Sequence, residues 1–377
     1  MKNKCLILGA GFSNAIANLP VTSEMIDRFK IVFDNQCKIN DNSIRINRGK
    51  CLLDFINNLE IKFQNSMGIY ENNGDIVLQS NYTKNFEGLC SYIDLNLSQD
   101  GHVLYKRDGK EIDMDGKSLF ANFNPSKLRD IRTDICNYLY LTLIDYKSDE
   151  KLLNSFYDKF IKDCQSIITF NYDLILEKFL YGKGDWLPKD GYGFTPKSEC
   201  LPEIKPFYFD QTSRVKIFKM HGSLNWEPYS TNIDPFSKRN LQFKWLEPVN
   251  NKYFFPDYLA EEKKMKYRYK GGNKMDCLLF PSLSKQFSYL EMIKTWNKAF
   301  NELTNADEVI FVGYSLPKAD FAVSSLFSTI DWNNKIVKLI DPKAKELHNN
   351  YSFILRKSDI EIIPYTLKKY LDNNVLI

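Results

Sequence analysis

Near its start the chain runs from four apolar residues, Cys5-Leu6-Ile7-Leu8, straight into Gly9-Ala10-Gly11-Phe12-Ser13. This junction narrows the possible folds more than any other segment. A short apolar run without polar alternation reads as a strand buried on both faces, and such strands belong to parallel sheets covered by helices. Two glycines directly after it remove side chains where the backbone must turn sharply. A helix that follows such a turn presents free N–H groups and a positive dipole end to an anion. That helix is expected to start near Ser13 or Asn14, either of which can cap it. Position 14 is Asn, so the third glycine of a G-x-G-x-x-G fingerprint is missing. A tight strand-to-helix turn without a ligand has the same sequence, and the turn alone leaves both readings open.

The same junction recurs along the chain. Ser166 to Phe170 precedes Asn171-Tyr172-Asp173 and a helix over 174–180, and Val215 to Met220 ends at His221-Gly222-Ser223. Glu308 to Val312 runs into Gly313-Tyr314-Ser315-Leu316-Pro317 before a helix over 319–329. Lys335 to Ile340 ends at Asp341-Pro342, and Ile360 to Ile363 precedes a terminal helix. Amphipathic helices are expected over 126–146, 150–162 and 289–306, and a further short strand over 207–209. Strands alternating with helices predict an α/β fold: a doubly wound, mostly parallel, Rossmann-like sheet. The expected organisation is a single domain over 1–377. Two insertions interrupt it, one at about 35–124 that is part helical and part hairpin, and an irregular one at about 226–276. Ligands of such sheets sit at the carboxyl ends of the strands. That rule gathers Gly9-Ala10-Gly11, Asn171, His221, Gly313 to Ser315 and Asp341 onto one edge.

Two of these strand ends carry side chains with chemistry. A histidine there can act as a general base near neutral pH, and Gly222 leaves room beside the imidazole. An asparagine offers one donor and one acceptor without charge, suited to a sugar hydroxyl or a water. Bland roles fit the same residues: Asp173 as a helix cap, His221 as a structural side chain. Composition narrows the partners. Eight cysteines stand at 5, 37, 51, 90, 136, 164, 200 and 277, none in a C-x-x-C pair, and the three histidines are far apart. No metal site is therefore expected, and the cysteines read as free thiols of a cytoplasmic protein. A net charge of +4 over 377 residues does not point to nucleic acid as the main ligand. The basic tract Lys263 to Lys270, with Tyr267 and Tyr269, reads as a solvated loop or as a nucleic-acid or partner patch. The Cys5 to Leu8 run is too short to span a membrane, and no membrane partner is expected.

Taken in order, GAGFS, TFNYD, HGS and VGYSLP resemble the motifs of the sirtuin-like family from about Cys5 to Asp341. In that family a G-A-G-x-S turn, a T-x-N-x-D segment, an H-G pair and a G-x-S-L segment hold NAD. The resemblance implies that Gly9, Ala10, Gly11, Phe12 and Ser13 form the turn against the phosphates and nearby ribose. It puts Asn171 by the nicotinamide ribose, Asp173 near the nicotinamide end and His221 in the role of base. Gly313, Ser315 and Asp341 would hold the phosphate and the adenosine ribose. Protein-deacylating sirtuins carry P-D-F-R after the first turn and a four-cysteine zinc module. Here the stretch reads Pro20-Val21-Thr22-Ser23, and no cysteines are paired. The chain is more similar to bacterial sirtuin-like proteins of anti-phage defence, which hydrolyse NAD. That likeness implies cleavage of the nicotinamide–ribose bond by water, a homo-oligomer, and a partner such as a DNA-translocating ATPase. A protein deacylase, or a module that senses NAD or ADP-ribose without cleaving it, are the alternative expectations.

Overall fold

Strand β1 (Lys4–Leu8) is the central strand of a six-stranded parallel sheet in the computed structural model of the chain. The structure describes residues 2–39, 44–66, 86–97, 125–144, 146–194, 212–229, 240–243, 278–282, 285 and 290–372. β1 pairs on one side with β2 (Ser166–Thr169), which pairs with β3 (Lys216–Lys219). On its other side β1 pairs with β6 (Glu308–Val312), followed by β7 (Ile336–Ile340) and β8 (Glu361–Ile363). From β1 the chain therefore moves outward through β2 and β3, returns across the sheet, and moves outward again through β7 and β8. The direction reverses between β1 and β6, the topological switch point where doubly wound sheets bind their ligands. A separate antiparallel pair, β4 (Trp226–Tyr229) and β5 (Asn240–Phe243), falls within the stretch expected to be irregular.

Helices cover both faces, which is why the strands carry no polar alternation. Successive side chains of a strand point to opposite faces. Leu6, Leu8, Ile167, Ile217, Ile310 and Val312 join one buried core, and Cys5, Ile7, Ile168, Phe218, Val309 and Phe311 join the other. The second core is closed by α8 (Leu290–Asn305), α9 (Phe321–Ser328) and α10 (Ala344–Leu355). The first is closed by α1 (Ala10–Ala17), α2 (Met25–Ile39), α3 (Ile44–Ser66), α4 (Phe86–Leu97) and α5 (Pro125–Ile144). It also takes residues from α6 (Glu150–Phe156), which a π-helical turn over Tyr157–Ile161 continues, and from α7 (Ile175–Lys183) and α11 (Leu367–Asp372).

Three expectations need correction. Helix α1 begins at Ala10 rather than near Ser13: Gly9 is its extended N-cap, with no side-chain cap, and Ser13 lies within the helix. Within the stretch around 35–124, expected to be an insertion, α3 and α4 place Leu52, Phe55, Ile56, Phe86, Leu89, Cys90 and Ile93 in the core. The hairpin expected there, the strand expected at 207–209 and the basic tract at 263–270 lie outside the described residues. Finally, α9 starts at Phe321, because the Asp320 carboxylate accepts from the Val323 N–H as its N-cap. Among the described residues, no helix is long and apolar enough to cross a membrane.

Candidate functional site

At the switch point the ends of β1 and β6 touch backbone to backbone. The Gly9 N–H donates to the Val312 carbonyl at 3.1 Å and the Gly11 N–H to the Gly313 carbonyl at 2.9 Å. A Cβ on Gly9 would stand 2.5 Å from the Gly313 oxygen, and one on Gly11 would stand 2.7 Å from the Gly313 Cα. Gly313 has a φ of +59°, the left-handed region that favours glycine. Three glycines thus serve the contact between two loops. The Phe12 N–H also turns inward, to the Gly9 carbonyl at 3.0 Å. With the Gly9, Gly11 and Phe12 amides spent, the Ala10 N–H at the α1 N-terminus is the amide of the turn that makes no hydrogen bond among the described residues.

The next loop, after β2, is wired to this turn. Asn171 Nδ2 donates to the Gly9 carbonyl at 2.8 Å and to Ser13 Oγ at 2.9 Å, and Ser13 Oγ donates to Asp173 Oδ2 at 2.7 Å. A carbonyl can only accept, so this contact fixes which way the Asn171 amide points. Its Oδ1 then makes no hydrogen bond among the described residues and remains an acceptor at a half-buried position. Asp173 Oδ1 accepts from the Ile175 N–H at 3.1 Å from one residue ahead of Leu174, the N-cap of α7, which has no side-chain cap. Ser13 and Asp173 are buried, and Phe12 is a core side chain packed on Phe156 with ring centroids 4.9 Å apart. Phe12 and Ser13 therefore build the turn from behind. Ala10 and Gly11 are the half-buried members of the motif.

His221, after β3, lies in a cluster of charges. Its Nε2 is 2.7 Å from Asp320 Oδ2 and 3.3 Å from Lys285 Nζ, while Lys285 Nζ is 3.1 Å from Asp320 Oδ1. The side chains of His221, Lys285 and Asp320 are 4%, 1% and 0% exposed. Burial holds the His221 imidazole below its ordinary pKa and the Lys285 ammonium adds to this, against Asp320 and the Phe170 carbonyl. Burial would push the Asp320 carboxyl up, yet His221 and Lys285 outweigh it and hold it below the usual carboxylate range. Asp320 is therefore an acceptor at neutral pH. A ring proton on Nε2 would point toward it, at the nitrogen that also faces the Lys285 ammonium.

A short strap runs across this cluster. The Leu279 N–H donates to the His221 carbonyl at 2.9 Å, and the Tyr172 hydroxyl donates to the Leu279 carbonyl at 2.7 Å. Arg132 Nη2 on α5 donates to the Leu278 carbonyl at 2.9 Å, and Ser282 Oγ donates to Asp94 Oδ2 on α4 at 2.7 Å. Phe170 fills the space between the site and the β6 loop, stacked on Tyr314 at 4.1 Å and edge-on to His221 at 5.2 Å. The Tyr314 hydroxyl is buried with no hydrogen-bond partner among the described residues. Leu316, next but one, has a φ of +52°, a strained conformation for leucine.

The remaining expected residues are less closely joined. Ser315 is exposed at the β6 loop, and Gly313 is committed to the clasp. Asp341, after β7, turns Oδ1 back on the Lys343 N–H at 2.7 Å, and burial raises its carboxyl pKa. Behind Asp173, Lys219 Nζ donates to the Asp173 carbonyl and pairs with Glu177 at 3.0 Å in a fully buried ion pair. Asp320 and Lys285 were not among the residues expected at the site. An aspartate just ahead of an apolar helical run is an N-cap signal, so Asp320 was findable as a cap, although not as the partner of His221. Lys285 carries no local signal. An open surface depression at Lys2, Asp307, Asn334 and Ile336 lies at the opposite, amino-terminal edge of the sheet. No three His, Cys, Asp or Glu side chains among the described residues are grouped to hold a metal ion. Compared with known protein families and with curated proteins, the chain matches none.

Proposed function

We propose that this chain hydrolyses NAD at the nicotinamide–ribose bond, giving nicotinamide and ADP-ribose. The observation that carries the reading is Asn171. Its amide is locked to the glycine turn at 2.8 Å and its acceptor oxygen is left over, beside the switch point of a doubly wound sheet. In this reading the Ala10 amide and the α1 dipole receive the pyrophosphate, and Ser315 receives the adenosine side. Asn171 Oδ1 accepts from a ribose hydroxyl or from the attacking water and holds it against the anomeric carbon. His221 takes the proton, with Asp320 orienting the ring through Nε2. Nicotinamide leaves as a neutral molecule from a cationic linkage, so positioning and one base are the main demands on the protein.

A second reading is favoured by the burial of His221, whose side chain is 4% exposed under the strap: a module that binds NAD or ADP-ribose without cleaving it. Incubation of the purified protein with NAD alone, followed by chromatography of nicotinamide and ADP-ribose, separates the two. Release of both products, lost in His221→Ala and Asn171→Ala variants that still bind NAD, supports hydrolysis. Saturable binding with no release supports the sensor, and full turnover in His221→Ala removes the histidine from the mechanism. The proposal extends to anti-phage defence by NAD depletion, carried out by a cytoplasmic homo-oligomer held in check by a partner such as a DNA-translocating ATPase. Light-scattering mass and phage challenge of expressing cells test those parts.

A further inference from the structure

We propose that Lys285 is a positioning residue that keeps His221 neutral, and so ready to accept a proton, by supplying the counter-charge to Asp320. The inference rests on His221 being the base of the hydrolysis proposed above. Three ionisable side chains share one buried space, in which Asp320 is shared between the Lys285 ammonium at 3.1 Å and the His221 imidazole at 2.7 Å. With aspartate and lysine both charged and histidine neutral, the cluster carries no net charge. A proton on His221 would leave an uncompensated positive charge in a buried site, which is costly. Without Lys285, the same proton would instead balance Asp320. The ammonium therefore decides which state of the imidazole the cluster tolerates.

Lys285 is held for this task. Its Nζ also donates to the Phe280 carbonyl at 2.6 Å. The segment carrying Phe280 is pinned to His221 and Tyr172 on the sheet side and to Arg132 and Asp94 on the helical side. The other groups facing the cluster do not substitute for it. Tyr172 and Tyr314 carry phenols whose pKa burial pushes well up. Cys90 on α4 is likewise pushed up by burial, and Asp94 on the same helix is paired with Arg132 at 3.2 Å. Glu87, also on α4, has its own pKa pushed up to about 7 by burial and then by Asp320. The Phe170 carbonyl favours a proton on His221. Lys285 is the cation that opposes protonation at hydrogen-bond range of the ring.

The test is the titration of His221 by NMR in histidine-labelled protein, assigned by substituting His102 and His348, the two other histidines of the chain. In the wild type, His221 is expected to titrate below the ordinary value of about 6.5. Lys285→Met is expected to raise it by about one pH unit or more, and Lys285→Arg is expected to restore the wild-type value. The acid limb of the kcat/KM profile should move by the same amount in the same direction, a shift that a purely structural lysine would not produce. An unchanged His221 titration in a folded Lys285→Met variant overturns the inference. If that variant does not fold, a wild-type His221 titrating at or above about 6.5 overturns it instead. If the wild type releases no nicotinamide, the enzymatic reading fails while the NMR titration still decides the role of Lys285.

Discussion

Gly313→Ala tests the contact on which the geometry of the site depends. A Cβ at this position would stand 2.6 Å from the carbonyl carbon and Cα of Gly11 and from the Phe12 nitrogen, all backbone atoms. To reach the 3.4 Å at which ordinary contact begins, the β1 turn must retreat by about 0.8 Å. The turn cannot move that far without loosening the Gly11 N–H to Gly313 and Gly9 N–H to Val312 hydrogen bonds. The left-handed backbone adds about 1–2 kcal/mol for any residue with a Cβ, and overpacking costs about 1–3 kcal/mol. The expected loss is therefore about 2–5 kcal/mol, enough to lower the urea midpoint by about 0.5–1.5 M with an unchanged slope. Two other glycines separate the causes. Gly184 also has a positive φ, +76°, at the α7 C-cap, with nothing within 4 Å of an added Cβ. Gly184→Ala should cost only the backbone share, about 1–2 kcal/mol. Gly182→Ala, within α7 and in open space, should stabilise by about 0.5–1 kcal/mol. A Gly313→Ala variant no less stable than Gly184→Ala would refute the clasp. Loss of NAD binding in parallel with stability would tie the clasp to the proposed site.

Two further predictions concern the same edge and its surroundings. Phe12→Ala removes a ring packed on Phe156 in the core and should cost about 3–5 kcal/mol. Because that side chain points into the core, away from the proposed site, any NAD affinity that calorimetry finds for the wild type should change little in the remaining folded protein. Glu87, raised from its ordinary 4.5 to about 7 by burial and then by Asp320, makes stability depend on pH. A raised folded-state pKa contributes stability that is fully present below about 4.5 and lost as pH rises through about 7. Glu87→Gln removes that dependence, so it should gain on the wild type across this window, by up to about 3 kcal/mol at pH 8. Urea melts at pH 5 and pH 8 check this, and an equal difference at both pH values would count against it.

Sequence alone carried the sheet because its signals are local. Apolar runs ending in glycine or polar residues, alternating with helical periodicity, specify buried parallel strands whatever their neighbours are. Glu308–Val312 appears with the bounds expected for it, and the strands at Lys4–Leu8 and Ser166–Thr169 differ from expectation by one residue at one end. The rule that ligands sit at strand carboxyl ends then brought Gly9, Asn171 and His221 together without coordinates. Local signals did not say what each residue faces. Gly11 needs its missing side chain because Gly313 lies across the switch point, a relation between loops some 300 residues apart in the chain. Phe12 and Ser13 read as part of a ligand turn, yet the helix starts three residues earlier than expected at Ser13, and its pitch turns both of them inward. His221 reads as a lone base, while packing joins it to Asp320 and Lys285, which stand 99 and 64 residues away. Burial and charge partners are properties of the packed chain, so the pKa of a strand-end histidine is set where distant segments meet and not by its neighbours in sequence. The first glycine turn shows the division most plainly: its sequence fixed a sharp strand-to-helix junction, and the fold made that junction one half of a clasp.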